Sequence, residues 1–312
     1  FCGTSYFDSI VLVSEGLTDI FIAKYNVNGG LEWVKSAGGV NHDEAYGIVV
    51  NQNGVYITGF FSDTINFDTP TIFGSNQIIS EGNNDIFLAK YDSNGNFQWV
   101  KRAGGIGSDV SNSIILNGSD IFITGSFQNT ANFNTPSSFG SNEITSVVGS
   151  HDIFLAKFND NGDFIWVKRG GSFGDDFSRC VDVIGNEVYI TGSFTNTANF
   201  NTPSFQGINE ITSIGNYDIF IAKYDSDGNF IWVKRAGGTD NDFANNVSCS
   251  GTDVYISGYF EGVANFNTPS IIGINEITSI GSFDNFVSKF NNNGDFQWVR
   301  RFGGTGDDFS NA

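Results

Sequence analysis

Five tryptophans, Trp33, Trp99, Trp166, Trp232 and Trp298, stand 66, 67, 66 and 66 residues apart, and this step runs through the whole chain. An Asp-x-Phe triplet beginning at Asp19, Asp85, Asp152, Asp218 and Asp284 keeps it. So do Gly59, Gly125, Gly192 and Gly258, and the four prolines, Pro70, Pro136, Pro203 and Pro269, all fall in one repeated phrase. Self-similarity at a fixed step is the mark of a repeat architecture, in which each unit buries against its neighbours a face it cannot bury alone. The chain therefore reads as one repeat domain over residues 1–312, with units at 19–84, 85–151, 152–217 and 218–283 and partial ones at 1–18 and 284–312.

Within a unit the pattern is strand and turn. In 86–91 the residues Phe87, Ala89 and Tyr91 alternate with Ile86, Leu88 and Lys90, the twofold period of a strand. Asp92-Ser93-Asn94-Gly95-Asn96 follows as a hairpin turn, because Asn-Gly tolerates positive φ. Segment 97–102 returns with Trp99, and Gly104 and Gly105 read as the break that ends it. Strands are expected at 112–116 and 121–127, and Glu143-Ile144-Thr145 as a short edge strand. No helical period of useful length occurs. Four antiparallel strands per ~66 residues exceed the 20–45-residue repeat of a solenoid and suit a propeller blade. The expected fold is all-β: a β-propeller of four-stranded antiparallel blades, about five repeats, as a closed five-bladed ring or part of a longer array. Each unit is expected to supply one sheet, with the tryptophans buried between neighbouring blades.

Composition narrows the partners. A net charge of −19 repels polyanions, so nucleic acid and anionic membrane are poor partners. No apolar run is long enough to insert as a membrane helix. With Met absent, the chain is expected to be a processed product or a window of a longer one. Cys2, Cys180 and Cys249 are odd in number and not repeat-equivalent, so no disulfide framework is expected, and their redox state stays open.

The order of phrases carries a resemblance. Asp152-Ile153-Phe154-Leu155-Ala156-Lys157, Asp163-Phe164-Ile165-Trp166, a Gly-Gly loop ending in Asp, and Val188-Tyr189-Ile190-Thr191-Gly192 resemble the seven-bladed β-propeller (SBBP) repeat over nearly the whole chain. The long variant with an Asn-Phe-Asn-Thr-Pro connection resembles repeats of large surface and secreted Bacteroidetes proteins. The resemblance implies export through that phylum's secretion machinery, a place outside the cell or on its outer surface, and a role in adhesion or binding. It implies no catalytic residue.

The recurring polar residues are weighed as a site or as architecture. Each loop after a Trp carries an acid ten residues on: Asp43, Asp109, Asp176, Asp242 and Asp308. Each unit carries a strand lysine, Lys24, Lys90, Lys157, Lys223 or Lys289, and fourteen of the fifteen basic residues are repeat-equivalent, Arg179 being the exception. Recurrence in every unit points to a duty every unit shares, and Asp109 is the expected partner of Lys90 and of the Lys101–Arg102 pair. The turn Asp225-Ser226-Asp227-Gly228-Asn229 opens like a calcium loop but lacks the glutamate that completes one. His42 and His151 sit in non-equivalent loops and build no triad or zinc spacing. Phe67, Phe133, Phe200 and Phe266 of the connections are read as rim plugs, with a displayed binding face as the alternative. Asp8-Ser9-Ile10 and Asp63-Thr64-Ile65 resemble a bacterial O-glycosylation motif, at Ser9 and Thr64.

The functional expectation is a non-enzymatic adhesin or binding scaffold, secreted or on the outer surface, with no cofactor, metal or catalytic residue. Its partners would be other surface proteins or glycans. A carbohydrate-binding propeller lectin is the alternative.

Overall fold

A chain whose apolar residues alternate can bury one face of a sheet and must cover the other with a neighbour. The computed structural model describes residues 1–67, 76–134, 142–201, 209–267 and 275–310, so the four prolines lie outside the described residues. Strands are the regular elements described, and their ladders are antiparallel. By its contacts the chain divides into two compact units: Phe1–Ile123, Phe127–Thr145 and Lys157–Ile165, and then Thr124–Ser126, Ser146–Ala156 and Trp166–Ala312.

In the first unit, Asp43–Asn51, Gly54–Phe61, Asp85–Tyr91 and Phe97–Gly105 are successive neighbours in one sheet. This combination does not follow the repeat as read from the sequence. The sheet joins the second half of one sequence unit to the first half of the next. The cause is pairing: Val55 to Phe61 lie opposite Tyr91 to Asp85 along the whole ladder, so the long connection between them closes an antiparallel pair. The second unit repeats the plan with Phe177–Ile184, Glu187–Phe194, Asp218–Asp225 and Phe230–Ala236. It does so again with Asp242–Ser250, Asp253–Asn265, Glu276–Asn291 and Phe296–Phe302. Val110–Asn117, Asp120–Gln128, His151–Asn159 and Phe164–Gly170 are further strands.

The expected edge strand Glu143–Thr145 is present, paired with Thr130–Asn132 as a two-strand ribbon. The ribbon hydrogen-bonds to the end of the preceding sheet, Asn132 opposite Gly104 and Ala131 opposite Gly105. Gly104 and Gly105 therefore extend their strand to Gly105 instead of breaking it. They are glycines because of close approach: a Cβ on Gly105 would stand 2.0 Å from the Thr130 carbonyl oxygen.

The core lies between successive sheets. In the first unit Ile20, Ile22 and Ala37 pack with Val55, Ile57, Phe61, Phe87, Ala89 and Tyr91, and Phe67 of the connection joins the same cluster. In the second, Tyr189, Ile219, Ile221 and Ala236 pack with Val254, Ile256, Phe260, Phe286 and Phe290, and Phe266 joins them. Each fully buried Phe contributes ~1.5–3 kcal/mol relative to leaving it in water.

Candidate functional site

The recurring residues, expected to act structurally, lie within the repeats and at the joints between them. The rings of Trp33, Trp99, Trp166 and Trp232 each carry the hairpin turn of the next repeat. Trp33 Nε1 donates to the Ser93 carbonyl at 3.1 Å, Trp166 Nε1 to that of Ser226 at 3.3 Å, and Trp232 Nε1 to that of Asn292 at 3.2 Å. The turn glycine lies flat on the indole: a Cβ on Gly95 would be 2.8 Å from the Trp33 ring, and one on Gly162 2.8 Å from the Trp99 ring. These rings are half-buried, where full burial was expected, because the turn covers one face and leaves an edge in water. Trp298 is half-buried too, with Arg300 over its ring at 5.8 Å.

Three of the strand lysines, Lys24, Lys90 and Lys223, reach the same turns. Lys90 Nζ reaches Asp160 Oδ2 at 3.0 Å, and Lys223 Nζ reaches Glu187 at 2.7 Å and the Asn292 carbonyl at 3.0 Å. Lys24 meets Glu32 and the Ser93 carbonyl, Lys157 meets Asp120, and Lys289 meets Asp253. Lys90 and Lys223 also sit over the rings of Tyr56 and Tyr189. Tyr56 itself donates its hydroxyl to Asp160.

Asp109 is not the partner of these cations. Its carboxylate, wholly buried, accepts the Gly105 amide at 2.8 Å and the Gln128 amide at 3.1 Å, closing the loop between two strands. Asp43 does the same with Gly39 and Ser62, and Asp176 with Ser172 and Thr195. Asp242 takes the Gly238 amide and Asp308 that of Gly304. A loop acid that caps amides needs no cation, and it sits too deep for a lysine to follow without losing its own hydration. Burial pushes Asp43, Asp109 and Asp176 up to about 7 and Asp242 up to about 8.

The arginines belong instead to the acid that opens each Asp-x-Phe triplet. Arg102 Nη1 meets Asp85 Oδ2 at 2.7 Å, Arg169 Nε meets Asp152 at 2.5 Å, and Arg235 Nη1 meets Asp218 at 2.5 Å; Arg301 meets Asp284. This pairing was missed in the sequence, although its signal was there: an acid and an arginine seventeen residues apart in four repeats, brought opposite by the hairpin. Also missed were the hydroxyls of Thr58, Thr124 and Thr191, which donate to the carbonyls of Phe87, Phe154 and Phe220.

The remaining candidates fall in separate places. Phe67, Phe133, Phe200 and Phe266 are at most 1% exposed, so they are plugs and not a displayed face. Tyr91 and Tyr224 fix two of them by donating to the Phe67 and Phe200 carbonyls. In the calcium-like turn, Asp225 Oδ1 accepts the amides of Asp227 and Asn229 and Oδ2 the Asn229 side chain, an Asx turn that occupies the carboxylate. Among the described residues no group of three or more His, Cys, Asp or Glu is arranged to hold a metal. His42 meets Thr18 and His151 meets Asp175. Cys2, Cys180 and Cys249 form no disulfide among the described residues, and Cys180 Sγ lies 3.7 Å from the Val247 carbonyl. Ser9 is exposed at a hairpin tip, whereas Thr64 is half-buried with its hydroxyl on Asp63. The acids before them, Asp8 and Asp63, adopt φ of 51° and 64°, and Asn129, Asn196 and Gly262 hold the same left-handed turn elsewhere.

No family model matches the chain. It is 26% identical, over 79% of its length, to an uncharacterized WD repeat-containing protein of Acanthamoeba polyphaga mimivirus. Over 37% of its length it is 30% identical to the regulatory protein FlaEY of Caulobacter vibrioides. The chain spans about a fifth of the first relative's length (21%) and about an eighth of the second's (12%).

Proposed function

We propose that this chain is a non-catalytic binding scaffold built of propeller-type repeats, whose work is to hold other proteins. One observation carries the reading: the polar groups that recur are engaged in holding each repeat together and in joining it to the next. The tryptophans hold turns, the triplet acids hold arginines, and the loop acids hold backbone amides. Recurrence thus has an architectural cause, and recognition falls to the surfaces that differ between repeats. The mimivirus relative's description as WD repeat-containing supports the propeller type.

The finer reading is an SBBP-type repeat protein of Bacteroidetes, secreted or held on the outer surface as an adhesin and delivered there by export machinery. Its support is the order of the repeat phrases together with the acidic surface of net charge −19. The lectin alternative needs stacking aromatics free for sugar rings, and here the recurring rings other than Trp298 are covered by turns or buried as plugs. Modification of Ser9 or Thr64 belongs to the same reading, and intact mass of native material measures it.

The test is a paired screen of the chain on a glycan array and on a panel of surface proteins from its source. Saturable protein binding without glycan binding is the expected result. Glycan binding with one site per sheet would establish the lectin instead, and turnover of any substrate would overturn both. Protease shaving of intact source cells tests the location, with loss of the chain expected.

A further inference from the structure

A row of aromatic rings runs through the second unit. His151, Phe177, Tyr217, Phe243 and Tyr259 follow one another with centroids 5.5, 6.4, 5.3 and 5.1 Å apart, and all five are half-buried. They sit at strand ends that antiparallel pairing brings to the same end of each sheet. The row is not a property of the repeat. Thr18 and Asn84 stand where His151 and Tyr217 do, and Glu44 and Val110 stand where Phe177 and Phe243 do.

Arg179, the one basic residue out of the repeat register, stands over this row with its guanidinium carbon 5.5 Å from the Phe177 centroid. The ladder shifts between Ser178 and Cys180, so Arg179 is the extra residue of a β-bulge, a device that re-aims a side chain. At the equivalent bulges Tyr46 is tied to the Glu44 carboxylate at 2.8 Å and Asn245 to the Ser310 carbonyl. Arg179 is exposed and, among the described residues, makes no hydrogen bond or ion pair. Nor do the hydroxyls of Tyr217 and Tyr259, whereas Tyr56, Tyr91, Tyr189, Tyr224 and Tyr255 donate theirs within the chain. Burial raises both phenols above their ordinary value, and the Arg179 charge is near enough to draw each back. Asp175 and Asp176, whose charges also reach Tyr217, are engaged elsewhere. His151 holds Asp175 through its amide at 2.9 Å and Nδ1 at 3.1 Å, and Asp176 caps the Ser172 and Thr195 amides.

We infer that Arg179, Tyr217 and Tyr259 take a carboxylate side chain from a partner protein, and that the row from Phe177 to Tyr259 takes the apolar residue beside it. A guanidinium and two hydroxyls all donate, and a carboxylate accepts several hydrogen bonds at once. Each ring is turned toward the next, so edges rather than open faces are left to a partner, and the edge is the positive part of an aromatic ring. That favours an anion over a cation and disfavours a sugar ring, which stacks on an open face. Aromatic residues and arginine are also what the centres of protein–protein contacts are enriched in. At physiological ionic strength charges beyond ~8 Å are screened, so the local cation outweighs the −19 of the whole chain. The site deepens the scaffold reading and rests on it for the partner's being a protein.

The experiment titrates the chain with the acetylated, amidated tetrapeptide Phe-Glu-Phe-Glu and with its glutamine and lysine counterparts, following the backbone amide resonances of residues 177–179 and 259. The acidic peptide is expected to shift them saturably, with the glutamine peptide about fivefold weaker and the lysine peptide silent. Arg179→Gln should weaken the acidic peptide about tenfold, the loss of one charge-assisted contact, while its melting temperature stays that of the parent because the side chain is exposed and unbonded. Tyr217→Phe combined with Tyr259→Phe should weaken it severalfold. Arg300→Gln, which removes an in-register charge from Trp298, should leave binding unchanged. Equal binding of the acidic and glutamine peptides would overturn the inference, and so would unchanged binding in Arg179→Gln. An equal loss in Arg300→Gln would assign the effect to net charge and overturn it too. Glucuronic acid, a carboxylate on a sugar ring, is the remaining arm: tighter binding than the peptide would replace the protein partner by an acidic glycan. If no peptide binds while whole surface proteins still do, this site falls and the scaffold reading stands.

Discussion

Trp166 donates its indole N–H to the carbonyl of Ser226, sixty residues further along, and the turn that carries Ser226 lies with Gly228 on the indole face. One contact thus does two things: it satisfies a half-buried donor and it registers one repeat against the next. Trp166→Phe keeps the ring and removes the donor, so it should cost about 1 kcal/mol. Trp166→Ala loses the platform as well and should cost ~3 kcal/mol, the low end for an aromatic deletion because the ring is only half-buried. Urea denaturation of the two variants measures the difference. Equal losses would show that the platform contributes nothing, and an unchanged Trp166→Phe would show the same of the hydrogen bond.

Gly228 provides the complementary test. Its φ is 79°, and a Cβ there would stand 3.0 Å from the Trp166 ring. Gly228→Ala should therefore destabilise by ~1–2 kcal/mol from backbone strain alone, and by more from displacement of the indole. Tryptophan fluorescence should shift to longer wavelength as the ring becomes wetter. Gly185→Ala is the control: its φ is 59° and a Cβ there meets nothing within 4 Å, so it should show the strain without the shift.

The arginine–aspartate pairs predict a large and one-sided effect. Asp85 is fully buried and Arg102 nearly so. Removing Arg102 leaves a carboxylate with no counter-charge, and Arg102→Ala should cost ~3–5 kcal/mol. The double variant Asp85→Asn, Arg102→Ala should recover part of that loss, because the stranded charge is gone. Thermal melts at neutral pH measure both. A double variant no better than Arg102→Ala alone would mean that packing, not charge, sets the penalty.

The loop acids predict how stability varies with pH. Burial raises Asp43, Asp109 and Asp176 to about 7 and Asp242 to about 8, from an ordinary 3.8. The folded chain therefore binds these protons more tightly than the unfolded chain does. Their contribution is complete below about pH 4 and is lost as pH rises through 7 to 8. The melting temperature should fall by several degrees between about pH 5 and pH 8.5. Asp92 works in the other direction: hydrogen bonds from the Asn96 side chain and backbone hold it below the ordinary range, so its contribution is lost only in strong acid. Relief of the −19 charge on acidification acts in the same sense as the loop acids, but added salt screens surface charge and leaves buried acids untouched. The slope between pH 5 and 8.5 should thus persist in 0.5 M salt and flatten in Asp109→Asn.

The sequence by itself determined the strands, the turns and the step that repeats them. Alternation in 85–91, the Asn-Gly turn at Asn94-Gly95 and the recurrence of Trp are local or periodic signals, and a strand's face is set by the twofold period of its own residues. Tertiary structure alone decided which strands share a sheet and which charge meets which. The sheet joins Gly54–Phe61 to Asp85–Tyr91 across the long connection, and nothing local distinguishes that pairing from one within the sequence unit. Arg102 finds Asp85 and not Asp109 because the hairpin places the first acid at the arginine's reach, while backbone amides enclose the second. Spacing along a chain names the residues that recur. Only the register between strands, set by the packing of one apolar face on the next, brings a particular pair within hydrogen-bonding distance.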